Sequence, residues 1–254
     1  MMEAILGIDG IQISLLMLVI FVSGLARGYA GFGLSAVAIT AGSIFMEPVK
    51  LVPVLYVLEI VASIHMLRSV YRDVDRKLLV YGLIGCAIGM PVGQELLLYL
   101  PESSTRIALY GVVVISTLFL HSGITFSLTV NRTLGLGIGL IVGVGSGLAT
   151  IGGLAAMIIL LAINYDVVKA RATMVVMFFV LYVYGTIVGS MNGIVTLESL
   201  KLSVLFLLPL FAGLVLGQKG FLLTTKEQFL KFLLAFLTSI SVVGLGRVWM
   251  STND

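Results

Sequence analysis

Uninterrupted apolar runs of about 18 or more residues recur along this chain from Gln12 almost to its end, each long enough to cross roughly 30 Å of hydrocarbon. A chain of 254 residues that is 59% hydrophobic and only 11% charged cannot bury that many runs in a water-soluble core. The pattern predicts an all-α polytopic membrane protein, in which each helix satisfies its own backbone hydrogen bonds. Soluble enzymes, nucleic-acid binders and secreted modules are excluded. The net charge of +3 comes from Lys and Arg in short loops between the apolar runs, which is a topology signal and not a basic patch for nucleic acid. The single cysteine, Cys86, lies between Gly85 and Gly89 within an apolar run, so neither an internal disulfide nor a thiolate cluster for a metal is available. No cofactor motif is present: GYAGFG lacks the strand, turn and helix that a dinucleotide fingerprint needs, and there is no P-loop lysine or catalytic triad. The first run follows Glu3 and Asp9 with no Lys or Arg before it, which predicts a retained span and not a removable signal.

The chain matches itself. A shift of 119 residues pairs Gly24 with Gly143, Gly28 with Gly147, Gly33 with Gly152 and Lys50 with Lys169. Further on, a shift of 124 lays Gly89, Gly93 and Gln94 of GMPVGQ on Gly213, Gly217 and Gln218 of GLVLGQ. One membrane domain over residues 1–254 is expected, built from repeat one at 11–121 and repeat two at 133–249, as in transporters assembled from internal repeats. Each repeat opens with an apolar stretch too long for one span, 11–46 and 133–163, interrupted by the glycine-dense runs GLARGYAGFG (Gly24 to Gly33) and GVGSGLATIGG (Gly143 to Gly153). Further spans are expected at 51–68, 78–99, 105–121, 172–190, 200–218 and 227–248, giving about five segments per repeat. An odd number inverts the second repeat relative to the first. With the N-terminus outside, the inner loops hold Arg68, Arg72, Arg76, Lys77, Arg132, Lys169, Arg171, Lys219 and Lys226, against Lys50, Arg106, Lys201 and Arg247 outside. That asymmetry favours both termini outside.

Two glycine breaks related by an inverted repeat are expected to meet near the membrane midplane. Irregular backbone at that depth survives only where it is buried in protein or lines a wet cavity. The helix that restarts after each break points its first amides and positive dipole end into the gap, which suits an anion. Candidate binding residues are Arg27, Gly28, Gly31 and Gly33 at the first break and Ser146, Thr150, Gly152 and Gly153 at the second. The competing reading is that the glycines only pack helices, as the four-residue spacing of Gly135, Gly139, Gly143, Gly147 and of Gly85, Gly89, Gly93 implies. Arg27 is expensive in a bilayer and its planar fork suits an oxyanion; alternatively it pairs with a carboxylate such as Glu59 or Glu95. Glu59 near the centre of its span and His65 further along it are the candidates for carrying a proton, or else Glu59 pairs with Arg27 and His65 with a neighbour.

These features together, the two glycine-broken openings, the basic loop after each and the GxxxGQ run later in each half, resemble the TauE/SafE family of sulfite exporters, also called the TSUP permeases. The resemblance covers essentially the whole chain; Ile151-Gly152-Gly153 matches the family's GxGG-type segment and Ala30-Gly31-Phe32-Gly33 matches it loosely. It implies a secondary transporter of a small sulfur oxyanion or organosulfonate, such as sulfite, sulfoacetate or toluenesulfonate, in a bacterial inner membrane, with no enzyme activity. Because an inside-negative potential expels a monoanion unaided at about 2.3 kcal/mol per 100 mV, uptake requires coupling, and Glu59 with His65 favours proton-coupled uptake. Potential-driven export and an anion channel are the alternatives. Glycine rows at the surface permit a homodimer without requiring one.

Overall fold

The computed structural model describes residues 10–122, 126, 128–220, 238, 239, 241, 242 and 244–246. Its helices, in chain order, are α1 Gly10–Ala30, α2 Leu34–Gly42, α3 Pro48–Val70, α4 Arg76–Tyr99, α5 Glu102–Ser122, α6 Arg132–Ala149, α7 Gly152–Ala162, α8 Val167–Met191 and α9 Leu197–Gly220, with a 3-10 turn at Tyr71–Asp73. No strand occurs among the described residues. Six helices, α1, α3, α4, α6, α8 and α9, are long and apolar enough to cross a membrane. The span expected at 105–121 lies in α5, which is not one of these six: its first turns carry Glu102 and Arg106, paired with each other. The span expected at 227–248 lies outside the described residues, apart from the helical positions 238, 239, 241, 242 and 244–246.

Both breaks are shorter than the glycine runs suggested. α1 stays helical through Gly24 and Gly28, leaving only Gly31 to Gly33 irregular, and α6 stays helical through Gly143 and Gly147, leaving Thr150 and Ile151. The helical glycines serve close packing. A Cβ on Gly24 would lie 2.7 Å from the Leu210 carbonyl oxygen, and one on Gly28 would overlap that of Leu214, so α1 and α9 run side by side in one direction with their backbones touching. α4 and α6 meet in the same way through Gly85, Gly89 and Gly93 facing Gly139, Gly143 and Gly147. The first helix of each half therefore packs on the fourth helix of the other. At the first break the chain reverses: a Cβ on Gly42, at the end of α2, would meet Leu51 and Leu16, so α2 returns along α1 toward the start of α3. Gly31 (φ 81°) and Gly33 (φ 96°) supply the left-handed backbone for this reversal. α3 and α8, the most enclosed of the spanning helices, pack against each other at the centre.

At one end of that pair the connections are tied together. Asp75 caps α4 by accepting from the Lys77 and Leu78 amides, accepts from the Tyr165 hydroxyl before α8, and donates its own amide to Thr173 Oγ1 at 2.9 Å. Burial alone would raise the Asp75 carboxyl. The Tyr165 hydroxyl, the two amides and Lys169 outweigh it and hold the carboxyl below its ordinary value, while burial and the Asp75 carboxylate push the Tyr165 phenol up. A depressed carboxyl stabilises the fold above its unfolded value of 3.8 and ceases to as pH falls through its folded value. Asp75→Ala is expected to cost about 1 kcal/mol at pH 7, the usual worth of an N-cap. Melting curves in detergent should show the difference from wild type shrinking toward pH 3; a difference that stays constant would show that the charge of Asp75 contributes nothing.

Candidate functional site

Arg27 occupies the last turn of α1 and is fully buried. Its Nη2 meets Glu59 Oε2 at 3.2 Å and donates to Ser63 Oγ at 3.0 Å. Glu59, halfway along α3 and 2% exposed, accepts at Oε1 from the Ser35 amide at 3.3 Å and from the Ser35 hydroxyl. Ser35 stands in the first turn of α2, so the amides that restart the helix after the first break already face an anion, and that anion is Glu59. Of the two carboxylates considered for Arg27, the structure selects Glu59; Glu95 is exposed on α4.

The ion pair does not exhaust Arg27. Its Nε and Nη1 are buried with no hydrogen-bond partner, and the guanidinium lies over the Phe178 ring, 5.6 Å from the centroid. A second guanidinium approaches from α8: a Cβ on Gly31 would lie 2.7 Å from both Cγ and Cδ of Arg171 and overlap its Nε, which is also buried and unpartnered. Arg171 is close enough to feel the charge of Arg27. Two guanidinium groups, one fully buried and one half-buried, thus converge on the first break with a single buried carboxylate, which is paired with Arg27, an arrangement short of one negative charge.

The second break reaches the same place from the other side. A Cβ on Gly153 would lie 2.5 Å from Phe178 Cζ, so that glycine lets α7 rest on the ring whose neighbourhood holds Arg27. Gly152 packs on Ser146 and Val142. The Tyr182 hydroxyl lies 3.5 Å from Ser146 Oγ and close to Ser35, so Phe178 and Tyr182 on α8 stand between the breaks. Thr150 caps α6 in the left-handed region (φ 57°), unusual for a β-branched residue, and its hydroxyl is spent on the Ala149 carbonyl at 2.7 Å. Buried Tyr56 continues the polar seam, donating to the Gly147 carbonyl at 3.2 Å, and Gln94 donates to the Gly185 carbonyl at 2.8 Å.

Two predicted site residues stand elsewhere. Gly28 lies in the α1–α9 contact. His65 is exposed and packs edge-on against Phe211 of α9, with ring centroids 6.2 Å apart, and is not brought to Glu59. Among the described residues no cluster of His, Cys, Asp or Glu is arranged to hold a metal.

Residues 16–245 match the family model of the sulfite exporters TauE/SafE, which is nearly the whole of the helical bundle just described. The chain belongs to the TauE/SafE family. No curated protein and no solved structure matches it. The TauE/SafE assignment and the six apolar helices make it a multi-pass protein of a membrane transporter family named for sulfite. Sequence reasoning misses five side chains of this TauE/SafE centre: Ser35, Ser63, Arg171, Phe178 and Tyr182. The hydroxyls and aromatics carry no local signal in so apolar a chain. Arg171 reads with Lys169 as a loop charge; Lys169 is exposed, whereas Arg171, two residues on, turns inward.

Proposed function

We propose that the chain is a secondary transporter that moves a small sulfur oxyanion or organosulfonate across the bacterial inner membrane, holding it at the first break between Arg27 and Arg171 while two inverted repeats rock around it. The observation that carries this reading is the meeting of buried Arg27 and half-buried Arg171, each with buried N–H donors left without a partner, with one carboxylate set against Arg27. A sulfonate head is a compact anion with several acceptor oxygens, and the planar forks of two arginines present donors to it from two sides. Phe32 and Tyr29, both buried at the first break, and Met157, buried on α7, give the organic tail an apolar wall. Proton-coupled uptake is the direction proposed, with Glu59 as the proton carrier, since it is the one acidic side chain buried among the described residues. The family's name favours export, which the inside-negative potential would drive for a monoanion.

A carrier and an anion channel are separated by counterflow. Purified protein in liposomes preloaded with unlabelled toluenesulfonate or sulfite should accumulate the labelled anion transiently, and the flux should saturate. Non-saturating flux without counterflow would replace the carrier with a channel in which the arginines form a selectivity constriction. No flux of either anion would remove sulfur anions as the cargo.

A further inference from the structure

Resting on that reading, we infer that Glu59 is a tethered stand-in for the transported anion: cargo binds by displacing the Glu59 carboxylate from its donors, and the displaced carboxylate takes up one proton. The Ser35 amide and hydroxyl at the start of α2, together with Arg27 Nη2, form the most complete set of donors at the first break, and Glu59 holds all of them. A sulfonate head presents the same chemistry, oxygens sharing negative charge. Cargo and carboxylate therefore compete for these donors.

Once displaced, Glu59 has nowhere nearby to remain charged. The groups that bear on it are Arg27 of α1, Tyr182 of α8 with Arg171 beyond Arg27, and Tyr56 one turn away on its own helix. The other helices packed on α3 bring hydroxyls and amides, Ser35 from α2, Gln94 from α4, Ser146 from α6 and Ser203 from α9, while among the described side chains of α5 the buried titratable one is the phenol of Tyr110. The cation is shared with the incoming anion, and a carboxylate stripped of cation and amide in a buried site is stable only as the neutral acid. One proton from the aqueous phase on the open side binds one carboxylate oxygen of Glu59, giving the carboxylic acid as the anion enters, and returns to water when the anion leaves. His65 faces away and contributes no second proton. For a monoanion the cycle is electroneutral, so a pH gradient drives it and the membrane potential does not.

The test uses purified full-length protein and toluenesulfonate, whose charge is constant from pH 5 to 9. Wild type should bind more tightly as pH falls from 8 to 6, approaching about tenfold per unit, and should withdraw about one proton from weak buffer per anion bound. Glu59→Gln should bind independently of pH, at least as tightly as wild type at pH 6. Binding by wild type with no proton uptake, or a pH slope retained in Glu59→Gln, overturns this inference and leaves the transport reading intact. If Glu59→Gln does not fold, the proton count on wild type decides alone. If neither toluenesulfonate nor sulfite binds wild type at any pH, the transport reading fails and this inference falls with it.

Discussion

Replacing Arg171 by alanine is expected to weaken binding of the transported anion by about 30-fold or more while leaving the protein folded. Removing one partner of a buried, hydrogen-bonded charge pair costs about 2–5 kcal/mol, and about 1.4 kcal/mol is a factor of ten. Arg171 is the better probe of the two arginines because no carboxylate depends on it: its Nε is unpartnered, and its side chain rests on the Gly31 backbone and is half-buried. Arg27→Ala would also abolish binding, but it strands Glu59 as a buried carboxylate without a cation, at about 3–5 kcal/mol of stability. Loss of function there would not distinguish binding from folding. Arg171→Lys restores the charge without the planar fork and should recover only part of the affinity. Calorimetric titration of sulfite and toluenesulfonate, with melting curves alongside, separates the two effects. An Arg171→Ala protein that binds both anions like wild type would leave Arg27 as the sole cation at the site and would sink the two-guanidinium account.

How far the sequence reaches depends on whether a residue's role is written in its type or in its placement. Arg27 and Glu59 stand out because ionisable groups are rare in this chain's spans, and their pairing is one of the two readings that burial cost allows. The glycine runs mark where the backbone breaks, yet not how far, because glycine serves two purposes. At Gly31 and Gly33 it permits positive φ; at Gly24, Gly28, Gly143 and Gly147 it removes a Cβ from a helix crossing, and the two uses look alike in a sequence. Glu59 and His65 are six residues apart, which on a helix puts them roughly 120° apart around the axis, so their separation in the structure follows from spacing. The inward turn of Arg171 does not: it depends on α2 doubling back so that Gly31 lies beneath α8, a consequence of tertiary packing alone.

The α4–α6 seam yields the sharpest expectation for stability. A Cβ on Gly139 would overlap the Gly82 carbonyl oxygen and lie 2.7 Å from its carbonyl carbon and 2.8 Å from its Cα, all backbone atoms that no rotamer change can move. The same close approach recurs each turn, with Gly143 against Cys86 and Met90 and Gly147 against Met90, Gly93 and Gln94, so one added methyl must separate the two helices along their shared length. Gly139→Ala is therefore expected to cost about 3 kcal/mol or more, at the upper end of overpacking, and to lower the melting midpoint in detergent by about 6–12 °C or prevent recovery of folded protein. Gly137, two residues away on the same helix, offers open space, with nothing within 4 Å of where a Cβ would stand. There Gly137→Ala only improves helix propensity, by up to about 1 kcal/mol, and should leave the midpoint unchanged or raised. Because α4 belongs to one half of the chain and α6 to the other, this seam joins the halves, and its loss should also expose Gln94 and the Tyr56 contact to Gly147 that border the second break. Equal midpoints for the two variants would mean that α4 and α6 are not in backbone contact, and the polar centre could not then be held as described.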